Sequence, residues 1–283
     1  MAPNINTRPG SAPVRDAQAH GESIARKPQF EWLARAGLVA RGVVYGIVGV
    51  LAVKLALGDG GKATSQQGAL QTIARQPFGE VLLVLVAIGL AGYAVWRLLR
   101  AAIGHGPEAA DDTKDRVSGL ASGIAYAALC VTAVKILAGS GPSGAGSHPG
   151  KTAGGVLSWP GGTWLVALAG AIVFVVGLEQ GYKGVKKKFL ENSKTEKMSD
   201  RERQVFTALG IFGHLARMVV FGLIGYFLVK AALVYDPDQA IALDGALVKL
   251  GHAAYGPILL GIVAAGLIGF GAYSIADARF RRV

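Results

Sequence analysis

The stretch ARGVVYGIVGVLAVKLAL, Ala40 to Leu57, returns as ARMVVFGLIGYFLVKAAL, Ala216 to Leu233, and in a looser copy as ASGIAYAALCVTAVKILA, Ala121 to Ala138. Laid over one another without gaps, the copies place Tyr45, Phe221 and Tyr126 at one position and Lys54, Lys230 and Lys135 nine residues later. Between these marks small residues coincide: Gly46 with Gly222 and Ala127, Gly49 with Gly225 and Cys130. A second apolar segment follows each copy. There Gly89, Gly170 and Gly266 align, each with an aromatic ring four residues on at Tyr93, Phe174 and Phe270. On this reading copies one and two keep a constant offset of 81 residues (126 − 45 and 170 − 89), and the third needs a single inserted residue. One two-segment unit is used three times.

Composition says where such units reside. Among 283 residues, 52% are hydrophobic, 17% are charged and 41 are glycine, and the apolar residues are clumped. The runs Val81 to Trp96, Val117 to Val134 and Val156 to Leu178 hold no charge, and Leu250 to Ile275 is broken only by His252. These are bilayer-scale lengths, since about 20 apolar residues cross about 30 Å of hydrocarbon. The segments do not alternate in polarity, so helices are predicted and a β-barrel is excluded. In the first and fifth spans Arg41 and Lys54, and Arg217 and Lys230, bracket the uncharged stretch; long basic side chains at span ends reach the headgroups by snorkelling.

A net charge of +11 would suggest nucleic acid in a soluble protein, but its distribution is a topology signal. Lys and Arg number 6 up to Arg41, 4 in the second connection, 9 from Lys183 to Arg217 and 3 at the C-terminus, while the odd connections hold Lys62, Arg75, Lys151 and Lys249 alone. Cytoplasmic loops collect basic residues, which predicts both termini inside. The single cysteine, Cys130, excludes an intrachain disulfide, and the polar N-terminus lacks an apolar signal core.

The organisation that follows is a cytosolic tail over 1–29, repeat 1 over 30–103, repeat 2 over 114–185, a basic cytosolic linker over 186–204 and repeat 3 over 205–280. The fold class is an all-α membrane protein of six transmembrane helices. Hairpins of two spans preserve membrane direction, so three parallel repeats are expected around an axis along the membrane normal, most simply as a pseudo-threefold bundle. The outer connections GALQTIARQPFG, Gly68 to Gly79, and GALVKLGHAAYG, Gly245 to Gly256, predict a short surface helix in copies one and three; copy two has a Gly, Ser and Pro-rich stretch, Gly139 to Gly154, read as flexible. Phe78, Trp159 and Tyr255 share the place just before each second span, where an aromatic belt is expected.

Two of these stretches, ARGVVYGIVGVLAVKLAL and ARMVVFGLIGYFLVKAAL, together with GALQTIARQPFGEVLLVLVAIGLAGYAVWR from Gly68, resemble a bacterial membrane family catalogued as domain of unknown function 1206. The resemblance covers almost everything after Phe30. It implies three copies of a two-helix unit in a bacterial cytoplasmic membrane, and no activity. Copy two departs from the pattern, with Ser122 where Arg41 and Arg217 stand.

Candidate sites follow from charge and from small residues. Lys54, Lys135 and Lys230 lie at one depth and would make an anion-attracting ring at the outer mouth, or simply anchor span ends. Arg41, Arg217 and the run Lys186, Lys187 and Lys188 are candidate inner contacts for anions or lipid headgroups. Glu179 reads as the only acidic group near the hydrocarbon, with a salt bridge as its role. Gly46, Gly49, Gly222, Gly225, Gly89, Gly170 and Gly266 are helix-packing positions, because helices in lipid gain contact by close backbone approach. GSGPSG from Gly139 and AGSHPGKT from Ala145 match phosphate-loop patterns but lack a preceding strand, so no nucleotide site is read from them. His214 and His252 fall at opposite faces; no metal site, cofactor site or catalytic constellation is read.

Two functions remain from the sequence: a scaffold or accessory subunit docking another membrane protein, or a small-solute or anion channel or carrier using the lysine ring. The expected partners are the bilayer and its anionic lipids at the cytoplasmic face, with no nucleic acid.

Overall fold

A computed structural model describes residues 28–58, 64–103, 113–140 and 149–281. The N-terminal tail before residue 28, and residues 141–148 of the two phosphate-loop patterns, lie outside the described residues. The helices are α1 (Pro28–Ala56), α2 (Gln66–Ala74), α3 (Gly79–Ile103), α4 (Thr113–Leu137), α5 (Pro149–Leu157), α6 (Gly162–Val185), α7 (Asp200–Leu233), α8 (Leu243–Gly251) and α9 (Gly256–Phe280). Six of them, α1, α3, α4, α6, α7 and α9, are long and apolar enough to cross a membrane. The described residues contain no strand, only an isolated bridge between Ser193 and Arg281. The molecule is a multi-pass membrane protein with internal repeats.

The long helices neighbour one another in the order α4, α3, α1, α9, α7, α6. Each repeat meets the next through one kind of interface. Between α1 and α9, a methyl placed on Gly49 would stand 2.9 Å from Ala264 O and 2.8 Å from Ile268 N. Between α7 and α6, one on Gly225 would stand 2.8 Å from Gly170 O and 2.5 Å from Phe174 N. Between α4 and α3, Cys130 occupies that same place and its Sγ lies 3.5 Å from Ala87 O. The correspondence continues along the helices: a methyl on Gly271 would meet Gly46 N at 3.0 Å, and one on Gly177 would meet Gly222 N at 2.9 Å. At Gly46 and Gly222 the glycine's own Cβ direction is open space; it is their backbones that the partner helix touches.

These contacts correct the register of copy two. Gly170 takes the place of Ala87, 83 residues earlier, and not of Gly89, 81 residues earlier. Likewise Phe174 takes the place of Ala91, and the aromatic position of Tyr93 and Phe270 falls to Val176. The short helices record the same slip, because α5 and α6 begin 83 residues after α2 and α3 (149 − 66 and 162 − 79). Two extra residues therefore enter copy two between Lys135 and Pro149. The expectation that copy two lacks a surface helix is overturned: α5 is a nine-residue helix, with Ala153 and Leu157 buried.

The slip explains why the second hairpin does not close. Within repeat 1, methyls on Gly37 and Gly89 would meet Gly89 O at 2.8 Å and Ala36 O at 2.8 Å; within repeat 3, Gly213 faces Phe270 N at 2.9 Å and Gly266 faces Phe212 O at 3.1 Å. Copy two has Ser118 and Ile172 at these two glycine positions. There α4 and α6 stand at the two ends of the row and do not pack along each other. Ile172 is accordingly 54% exposed and Val117 61% exposed.

Both described ends of the chain and the linker meet at one end of the bundle. Phe189, in the 3-10 turn Lys188–Leu190, is buried against Phe206, His214 and Tyr273. Lys194 N donates to Phe280 O at 2.6 Å. The linker expected over 186–204 thus packs, and it ends early, since α7 starts at Asp200 behind a capping box of Ser199 and Glu202. At the other end, Phe78 and Tyr255 precede α3 and α9 with φ of 59° and 57°, each ring exposed. Copy two puts Gly161, φ 77°, at the position so defined.

The interfaces predict a graded response. Gly49→Val and Gly225→Val should each destabilise by about 1–3 kcal/mol through overpacking against backbone. Gly46→Ala should be neutral or stabilising by up to about 1 kcal/mol, from helix propensity with no clash. Thermal unfolding in mild detergent reads all three, and equal losses would contradict the contact pattern.

Candidate functional site

Arg41 is enclosed by other helices. It is buried in the bundle, where its Nη1 donates to Tyr93 Oη at 3.0 Å and its Nε to Ser274 Oγ at 3.1 Å. The guanidinium also lies 5.5 Å from the Tyr93 ring centroid and 5.1 Å from that of Phe270. Tyr93 stacks edge-on against Tyr126 at 4.6 Å, as Phe270 does against Tyr45 at 4.9 Å, so equivalent aromatic pairs seal two of the repeat interfaces. Buried charge in a membrane helix is costly unless it is satisfied. Here two hydroxyls and two ring faces satisfy it.

Arg217 holds the same place in repeat 3, with different company. The position of Tyr93 is Phe270 and, in the corrected register, the position of Ser274 is Gln180. Arg217 keeps the rings, at 4.5 Å from Phe270, 5.0 Å from Phe221 and 5.5 Å from Tyr45. Its Nε is buried without a hydrogen-bond partner.

Arg217 also lines a cavity of about 520 Å³. Its walls are Val220, Ile224 and Leu228 of α7, Leu165 and Ala169 of α6, and Leu267 of α9. At the short-helix end it is covered by Ala153 and Val156 of α5 and by Leu243, with Gln66 and Gln67 of α2 at the rim. At the termini end it stops at Tyr45 and Arg217. No residue of α4 lines it.

The other candidates are dispersed. Lys54 and Lys135 are exposed, Lys230 sits over the Phe227 ring at 5.9 Å, and none of the three lines the cavity. Lys186, Lys187 and Lys188 are exposed beyond the end of α6. Glu179 pairs with Lys183 at 2.6 Å. His214 Nδ1 lies 2.7 Å from Gly210 O, and the ring stacks on Phe189. Among the described residues, no group of three or more His, Cys, Asp or Glu side chains could hold a metal.

A second acidic group escaped the sequence reading. Asp277, in the last turn of α9, is fully buried, pairs with Arg281 at 2.9 Å and accepts from Ser193 Oγ at 3.1 Å. It ties the linker to the end of α9. The i,i+4 spacing from Asp277 to Arg281 was visible in the sequence, but nothing there revealed that Ser193 would fold back on it.

Three segments of the chain, 36–104, 117–187 and 212–281, each match one family. The protein belongs to the family described as Domain of Unknown Function (DUF1206). The DUF1206 matches begin and end close to the three hairpins. An uncharacterized protein of Bacillus subtilis (strain 168), YxxB, is 36% identical over 260 residues, covering 91% of this chain and 93% of its own. No solved structure matches.

For this DUF1206 protein, Tyr93→Phe removes the hydroxyl that serves Arg41 and Arg97, and should lower stability by about 1–2 kcal/mol. Asp277→Ala strands Arg281 and should cost about 3 kcal/mol or more. Unfolding in detergent checks both; Asp277→Ala should additionally speed proteolysis within 186–199.

Proposed function

We propose that this is a non-catalytic scaffold or accessory subunit of the bacterial cytoplasmic membrane, with both termini inside and three parallel hairpins set around an axis near the membrane normal. Support for the arrangement comes from the recurrence of the Gly49, Gly225 and Cys130 contacts between successive repeats, together with the shared hairpin packing of repeats 1 and 3. The basic residues at the termini end give the orientation.

The observation that carries the scaffold reading is that the axis is closed while one hairpin is open. The cavity stops at Tyr45 and Arg217, and Tyr45 packs edge-on against Phe270 there. A solute path would have to cross that layer. Lys54, Lys135 and Lys230 are not among the residues that line the cavity, which favours the scaffold reading. Meanwhile α4 and α6 each lack the neighbour that closes the hairpin in the other repeats. The occupant we assign to that seam is a membrane-spanning helix of another protein, since α4 and α6 there present exposed apolar side chains such as Val117 and Ile172 with no helix beside them.

Photo-crosslinking from Ile172 and Val117 in native membranes, with Val50 on the exposed face of α1 as control, is expected to capture one discrete protein partner from the first two positions only. Anion flux into proteoliposomes is expected to be absent. Flux abolished by replacing Lys54, Lys135 and Lys230 together, or adducts no different from those at Val50, would overturn the reading.

A further inference from the structure

We infer that the cavity beside Arg217 binds an amphipathic anion: a carboxylate or phosphate head paired with the Arg217 guanidinium, and a single hydrocarbon chain laid along α7. The inference does not depend on the scaffold reading.

The molecule contains its own comparison. Arg41 and Arg217 are repeat equivalents, and Arg41 spends its donors on Tyr93 and Ser274. Repeat 3 keeps the arginine but has Phe270, which lacks the hydroxyl, and Gln180, whose amide leaves Arg217 Nε without a partner. Arg217 is left with three ring faces, an unpartnered buried Nε and a position on the cavity wall. A guanidinium has five N–H donors in a planar fork matched to carboxylate and phosphate oxygens. In an apolar site such a pair is worth far more than in water, because the unpaired charge is penalised. Aromatic faces offset part of that penalty but accept no hydrogen bond in the guanidinium plane.

The rest of the cavity suits a hydrocarbon chain. Beyond Arg217 the wall along α7 is Val220, Phe221, Ile224 and Leu228. From Arg217 to Leu228 is about 16 Å of helix at 1.5 Å per residue. The far end is roofed by apolar side chains of α5 and α8, and 520 Å³ falls in the usual range of about 300–1,000 Å³ for small-molecule sites. Arg217 lies toward the termini end, so the head would sit near one membrane surface and the chain would run toward the middle. An alkyl carboxylate and a membrane phospholipid offer the same chemistry.

The test uses the full-length protein purified in nonionic detergent and native mass spectrometry to read one-to-one adducts. The probes are dodecanoate, dodecyl phosphate and uncharged dodecanol; a second arm passes the protein through nanodiscs of phosphatidylcholine with phosphatidylglycerol before release. The two dodecyl anions are expected to bind at least tenfold more tightly than dodecanol. Arg217→Gln should abolish that preference. Phe270→Tyr, which offers Arg217 the hydroxyl that Arg41 already has, should weaken anion binding severalfold while retaining the charge. Ala169→Phe, which fills the cavity from α6, should remove binding of all three. Should Arg217→Gln fail to fold, Phe270→Tyr and Ala169→Phe decide alone. Arginine-dependent retention of phosphatidylglycerol would name a membrane lipid as source; retention of dodecyl anions only would name a free amphiphile. Dodecanol binding as well as dodecanoate, or anion binding unchanged in Phe270→Tyr and Ala169→Phe, would overturn the site.

Discussion

Everything in this bundle depends on how near two helix backbones can come. In hydrocarbon, burying apolar side chains brings no advantage, since lipid tails are equally apolar; helices adhere through packing and through the few hydrogen bonds they share. The chain meets this condition with glycines set at matching heights. Where Gly49 and Gly225 stand, carbonyls and amides of the next repeat approach to within contact of the Cα. Where Cys130 stands instead, its small thiol uses the gap to meet Ala87 O. Hairpins close by the same rule, at Gly37 and Gly89 and at Gly213 and Gly266, and the one hairpin without such glycines stays apart.

Close packing in turn fixes the polar interior. With α1 and α3 drawn together, Tyr93 is fully buried and its hydroxyl lies within reach of Arg41 and Arg97. With α7 and α9 drawn together, Phe270 reaches the same height under Arg217. Two arginines that would be expensive in lipid become tolerable because rings stand on either side of them. One is satisfied within the protein. The other lines a cavity with its Nε unpartnered.

Much of the fold was legible in the residues alone. Six long apolar helices and their pairing into three units follow from apolar run lengths and from the shared spacing of Tyr45 and Lys54. The register of copy two was not legible, because Gly170 and Phe174 imitate Gly89 and Tyr93 at an offset of 81, and a coincidence of residue types carries no information about what lies across the interface. Only the neighbours of Gly170 show that it stands for Ala87. The setting of the arginines was hidden for a similar reason. Arg41 and Arg217 read equally well as surface anchors, and the difference lies in Ser274 and Tyr93, on helices far away in sequence. Asp277 was overlooked because its second partner, Ser193, is supplied by a linker that composition alone describes as polar.

The contact between α1 and α9 carries a temporal meaning as well. It joins the first long helix of the chain to the last, so it cannot exist while the protein is being made until synthesis has passed Phe280. Through that whole interval Gly42 and Gly49 present bare backbone to lipid, and the packed half formed by repeat 1 waits without its largest complement. A nascent or truncated chain is thereby marked as unfinished along one stripe of a single helix, which is where an insertion chaperone or a membrane protease would find it.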